Sequence, residues 1–207
     1  MKKFWDAFYS KSLDQIPWQN TQADWFKELV DSGRIVGKTA LDLGCGTGKK
    51  SIYLVKEGSF GKVIGIDIAH KAVEIAQTNA KDAGVEDICD FIQHDASDLG
   101  FMGNKTFDFI LDWANLHGMP KETRQRYVDG IAHHSHSGTL FLVRAFSSDK
   151  NDDYFLETVG GLEKNIYLFS KADILALFPE FELIDEHKSQ PKTKNDYFFI
   201  ELLMRKK

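Results

Sequence analysis

The segment Thr39-Ala-Leu-Asp-Leu-Gly-Cys-Gly-Thr-Gly-Lys49 sets the tightest limit on how this chain can fold. A short apolar run, Thr39 to Leu43, leads into a cluster of glycines, and a helical pattern follows. That order reads as a buried strand, a tight turn and a helix N-terminus. Residues without a Cβ tolerate positive φ and let backbone come close to a ligand. The helix start adds unpaired N–H groups and the positive end of a dipole.

Around this turn the chain alternates strand and helix. Strands are expected at about 39–43, 62–67, 88–93, 107–111 and 138–143. Helices are expected at about 48–57, 70–82 and 120–132, the second stopped by Gly84 and the third opened by Pro120. Alternation of this kind implies an α/β fold with a parallel, doubly wound sheet covered on both faces. Residues 146–165 are polar and glycine-containing and read as a loop or insertion. Ser170 can cap a helix over about 171–178. Two extended stretches, 181–187 and 197–204, close the chain. The linker between them is too short for a crossover helix, so they pair antiparallel.

Before the first strand, Phe4, Trp5, Phe8 and Tyr9 share one helical face, Pro17 interrupts, and Trp18, Trp25, Phe26, Leu29 and Val30 resume the pattern until Gly33. Such a stripe is either core or a flap over a ligand. At 207 residues the chain is expected to be one domain, with residues 1–33 as a helical cap and 38–207 as the core.

The glycines read Gly44-Cys45-Gly46-Thr47-Gly48-Lys49. A dinucleotide fingerprint needs its third glycine one residue later, where Lys49 stands. Asp42 precedes the turn by two residues. A carboxylate there disfavours a pyrophosphate and favours a ligand with a positive centre, unless it merely bonds local backbone. Asp67 ends the second strand, where a carboxylate can accept from both hydroxyls of a ribose, and Ile68 can pack on a purine face. Asp95 can accept from an exocyclic adenine amine while the Ala96 N–H donates to the ring, or Asp95 can be an ordinary loop residue or helix cap.

Taken in order, LDLGCGTG, VIGID, HDASDL and FDFILDWANLH, with the two closing strands, resemble the class I S-adenosylmethionine-dependent methyltransferases over about residues 38–204. The resemblance implies a seven-stranded, mostly parallel, three-layer sheet with its last strand inserted antiparallel. It implies S-adenosylmethionine as cofactor, with Gly44, Cys45, Gly46 and Gly48 lining its methionine portion, Asp67 on the ribose and Asp95 on the adenine. The turn Asp112-Trp113-Ala114-Asn115-Leu116-His117, with the N-terminal aromatics, looks like the small-molecule branch near the thiopurine, halide and thiol methyltransferases. In that branch Trp5 and Phe8 would cover the cofactor and Trp18 would border the acceptor, with Trp113 and His117 beside it. Trp113 stands where that branch has arginine, and Ala114 where it has glycine.

A small-molecule acceptor is expected, reached by in-line displacement. His117 is the candidate base, because its unperturbed pKa lies near neutrality; a structural histidine is the alternative. Asp112 can touch cofactor or acceptor, or cap the loop. His133, His134 and His136 cluster near the fifth strand, but no carboxylate or cysteine completes a set, and no metal is expected. The net charge of −5 weighs against nucleic acid. Two cysteines and no long apolar run suggest a reducing cytoplasm and no membrane. Two other classes remain: a cofactor-binding sensor without turnover and, less favoured, a nicotinamide enzyme. Methylation of a protein or another macromolecule is a further alternative.

Overall fold

A computed structural model describes residues 2–10, 24–148, 153–159, 161–189 and 197–207. In chain order the elements are α1 (Lys2–Tyr9), α2 (Asp24–Asp31), β1 (Thr39–Leu43), α3 (Lys49–Lys56), β2 (Lys62–Asp67), α4 (His70–Asp82), β3 (Cys89–Gln93), β4 (Phe107–Trp113), α5 (Lys121–His133), β5 (Ser135–Ser148), β6 (Tyr154–Val159), β7 (Leu162–Tyr167), α6 (Lys171–Leu177), β8 (Phe181–Ser189) and β9 (Tyr197–Lys206). A seven-stranded sheet takes the order β3-β2-β1-β4-β5-β9-β8, and β6 and β7 form a separate two-stranded sheet. β1, β2 and β3 pair parallel, as do β4 and β5; β9 runs antiparallel to both β5 and β8.

The chain divides into two compact units, residues 1–96 with 158–163, and residues 97–157 with 164–207. In the first, β1 and β2 are buried along nearly their whole length, as parallel strands covered on both faces must be. Phe26, Leu29, Ile35, Leu41, Leu43 and Leu54 have almost no exposed surface. α2 ends where Gly33 turns to φ 70, and Ile35 N donates back to Leu29 O. In the second, Phe141, Phe178 and Phe181 pack edge-on and tilted around the β5, β8 and α6 junction. Ser170 caps α6 with a full capping box, its hydroxyl accepting from Asp173 N while the Asp173 carboxylate accepts from Ser170 N.

One expectation is corrected. The described residues of 146–165 are mostly strand: β5 runs on to Ser148, and β6 and β7 follow. Alternation explains it. Tyr154 and Leu156 are exposed while Phe155 and Glu157 are half-buried, a two-residue period. Gly160-Gly161, a pair typical of tight hairpins, separates the two strands.

Beneath the glycine turn the packing leaves no room. A Cβ on Gly65 of β2 would lie 2.6 Å from the Phe91 ring and 3.0 Å from Cys45 Cβ. Alanine ordinarily suits a strand better than glycine, yet here Gly65→Ala should lower unfolding free energy by ~1–3 kcal/mol through overpacking. Adding Phe91→Leu should recover part of the loss. Denaturant melts check this, and an unchanged or raised midpoint for Gly65→Ala would contradict it.

Candidate functional site

β1 delivers the chain into a turn whose glycines alternate into the left-handed region, with φ 72 at Gly44, 56 at Gly46 and 75 at Gly48. Gly48 then opens α3 as its N-cap. Glycine is needed at Gly46 on two counts: φ is positive, and a Cβ would sit 2.7 Å from the Tyr9 hydroxyl oxygen. The first helix therefore lies directly on the turn.

Asp67, at the end of β2, is buried and fastens this turn. One carboxylate oxygen accepts from Gly46 N and the other from Ala69 N, each at 2.9 Å. Burial raises its pKa to about 6, although the two backbone hydrogen bonds pull it down. Each oxygen keeps a further lone pair for another donor. His70 N, the next amide of α4, donates to the Asp6 carboxylate of α1 at 2.9 Å. Two carboxylates thus satisfy the start of α4 and its dipole. Phe4, Phe8, Tyr9, Ala69 and Ala72 form one buried cluster, with Trp5 half-buried against it, 5.2 Å edge-on from Phe4.

Asp42 has another place. It is buried and accepts from the Ser51 hydroxyl of α3 at 2.6 Å, and burial raises its pKa. Cys45 is half-buried, with its thiol pKa pushed well up by burial first and then by Asp67 and Asp42. Ile68 is half-buried, and its carbonyl accepts from Gln93 Nε2. Asp95 is half-buried, and Ala96 is buried.

In the second unit, Asp112 is fully buried. It accepts from Asn115 N, Leu116 N and the Tyr127 hydroxyl. These bonds hold the short 3-10 turn Leu116–Gly118. Trp113 is half-buried, and Ala114 sits at φ 78 with its N–H donating to Arg144 O. His117 is 5% exposed, and burial takes its pKa down to about 3. The near-neutral pKa behind its candidacy as a base is therefore absent: the ring is neutral and weakly basic. Its Nδ1 has no hydrogen-bond partner among the described residues. Trp18 lies outside the described residues.

The three histidines near β5 go to separate partners. His133 Nε2 meets Gly103 O, both ring nitrogens of His134 meet carbonyls of Lys105 and Leu99, and His136 Nε2 meets Asp108. Among the described residues no three His, Cys, Asp or Glu side chains are grouped to hold a metal.

The glycine turn, the acid ending β2 and the loop after β4 stand where a family comparison can be decisive. Residues 40–138 match the family described as "Methyltransferase domain". Over that stretch the chain is similar to a methyltransferase domain. A 2-heptyl-1-hydroxyquinolin-4(1H)-one methyltransferase of Mycobacteroides abscessus is 28% identical over 119 residues, 58% of this chain and 50% of that protein. A demethylmenaquinone methyltransferase of Oceanobacillus iheyensis is 30% identical over 56% of this chain and 49% of its own length. The chain thus spans about half the length of these curated relatives. The solved 1,6-didemethyltoxoflavin-N1-methyltransferase of Burkholderia thailandensis superposes with TM-score 0.77 at 19% identity, over 99% of this chain and 85% of that one. An S-adenosylmethionine-dependent methyltransferase of Methanosarcina mazei gives 0.70 at 23%, over 84% and 95%. The fold is that of these methyltransferases.

Several residues of the two units escape sequence reasoning. Tyr9 was visible only as one ring of an aromatic stripe. Asp6, the cap of α4, gave no signal at all. Arg144 was signalled by standing as a lone charge inside an apolar strand. It pairs with Glu201 directly across β9, Nε to Oε1 at 3.0 Å, with both side chains buried.

Ala114 holds a left-handed conformation that costs a residue with a Cβ roughly 1–2 kcal/mol. Ala114→Gly should therefore raise unfolding free energy by about 1 kcal/mol, less the extra entropy of glycine in the unfolded chain. A thermal melt checks it, and a lower melting temperature would contradict it.

Proposed function

We propose that the chain transfers a methyl group from S-adenosylmethionine to a small organic molecule. The observation that carries this reading is the Asp67 carboxylate at the C-terminal end of β2, tied to the glycine turn through Gly46 N. That is the crevice position at which open α/β sheets bind nucleosides. The residues fit the cofactor. Gly44, Gly46 and Gly48 hold the turn at positive φ without side chains, and Asp67 retains lone pairs for two ribose hydroxyls. Ile68, Asp95 and Ala96 are assigned to the adenine, and Trp5 and Phe8 to the cover.

Bound there, the sulfonium supplies an already activated methyl group. The protein's tasks are then alignment and exclusion of water. Asp42, bonded to Ser51, acts as a positioning residue that joins β1 to α3 under the turn. Asp112 is likewise a positioning residue for the loop that carries His117. The acceptor side is assigned to Trp113 and His117, with Trp18 as a further proposed contact. The relatives named above act, by their names, on a hydroxyquinolinone, a demethylmenaquinone and a didemethyltoxoflavin, all small molecules. A net charge of −5 weighs against a nucleic-acid substrate. No helix among the described residues is long and apolar enough to cross a membrane. The free Cys45 and Cys89 suit the reducing cytoplasm.

Asp67→Asn keeps one carbonyl acceptor and should still fold. It should lose ~1–3 kcal/mol of affinity for S-adenosylhomocysteine in calorimetry, with methyl transfer falling in parallel. Unchanged affinity would sink the ribose role.

The pH dependence follows from the same group. Only ionised Asp67 accepts two hydroxyls, and its pKa is about 6. Cofactor affinity should therefore fall about tenfold between pH 7 and pH 5, and this step should vanish in Asp67→Asn. For folding the sign is opposite. The native state holds this proton more tightly than the unfolded chain, so Asp67 favours folding below about pH 4, and that contribution disappears by about pH 6.

A further inference from the structure

The second unit carries a group of aromatic side chains that the cofactor site does not use. Phe146, near the end of β5, stacks on Phe199 of β9 at 4.1 Å and 29°. It meets Phe155 of β6 edge-on at 5.4 Å, and Phe155 stacks on Tyr197 at 4.8 Å and 13°. The Arg144 guanidinium lies 3.6 Å from the Phe199 centroid and 4.7 Å from that of Trp113. All five rings are half-buried. Each therefore keeps part of its surface exposed, and together they make a partly exposed aromatic group near the C-terminal end of β4 and β5. This is the end of a parallel sheet at which ligands bind.

A polar group faces the same rings. The His117 ring lies 4.7 Å from Phe146 and 6.3 Å from Phe199. It is 95% buried, and its Nδ1 has no hydrogen-bond partner among the described residues. A buried nitrogen without a partner is destabilising unless something satisfies it. Its apolar neighbours offer nothing; a ligand can. Arg144 does not supply an anion site, because Glu201 is already paired with it.

We propose that the methyl acceptor is a planar aromatic or heteroaromatic ring that stacks on the Phe146–Phe199 wall and places an N–H or O–H on His117 Nδ1. This rests on the methyltransferase reading above and names its acceptor class. It differs from a halide, metalloid or simple thiolate acceptor, which has neither a ring face nor a hydrogen to donate. His117 acts here as a hydrogen-bond partner that orients the ring edge, not as a strong base. The ring contributes stacking, worth more for a flat π-system than for a saturated ring of equal size.

Three probes separate these contributions on the unaltered protein. 2-Naphthol is flat and carries a donor, 2-methoxynaphthalene is flat without one, and decahydro-2-naphthol has the hydroxyl on a puckered skeleton. Calorimetry, with and without saturating S-adenosylhomocysteine, should find 2-naphthol bound about tenfold more tightly than either of the others. Phe146→Leu should abolish the preference for the flat skeleton, and His117→Phe, which keeps ring volume, should abolish the preference for the hydroxyl. Both variants should bind S-adenosylhomocysteine as the parent does. Equal binding of the three probes, or a preference that survives both substitutions, would overturn the proposal. Loss of S-adenosylhomocysteine binding in the unaltered protein would instead defeat the cofactor reading, and the probe preferences without it would still decide the acceptor class.

Discussion

One carboxylate holds the nucleoside end of this fold together. Asp67 accepts from Gly46 N on one oxygen and Ala69 N on the other, so the glycine turn after β1 and the start of α4 after β2 share an anchor. Gly44 N and Cys45 N donate to Ile66 O and Gly48 N to Cys45 O, and Asp67 supplies the partner for Gly46 N. Asp6 completes the arrangement by capping the next amide of α4, which fixes α1 against the same junction. Tyr9 then reaches the turn itself at Gly46. The group proposed for the ribose is thus also the group that shapes the turn, and burial keeps its pKa high enough for protonation to matter near pH 6.

Most of the architecture was legible because its signals are local. Buried parallel strands read as short apolar runs, and Gly33 and Gly84 mark helix ends. The bounds of β1 and β2, and of α4, coincide with those expected from pattern alone. β9 was recognisable as antiparallel because the linker before it is too short to cross the sheet. The two-stranded sheet of β6 and β7 was missed because the polar and glycine residues of 146–165 suggested a loop and outweighed the alternation. Its Gly-Gly pair was the signal to follow.

The site was legible where chemistry depends on spacing along the chain. Gly44, Gly46, Gly48 and Asp67 follow from that, and so does the exclusion of a dinucleotide fingerprint by Lys49. It was not legible where chemistry depends on burial or on distant pairing. Asp42 and Asp112 were expected at a ligand, and each also bonds within its own neighbourhood: Asp42 accepts from Ser51, and Asp112 from Tyr127 and two amides. His117 looked like a base, yet burial takes its pKa down to about 3. The Arg144–Glu201 pair depends on the register of β5 against β9, which no local pattern reveals.

The central claim is that the glycine turn and Asp67 seat a sulfonium-bearing adenosyl cofactor and not a dinucleotide. Calorimetric titration of the unaltered protein with S-adenosylmethionine, S-adenosylhomocysteine and NAD tests this most directly. The account predicts saturable binding of both sulfur compounds and none of NAD. Binding of NAD without either sulfur compound would contradict it.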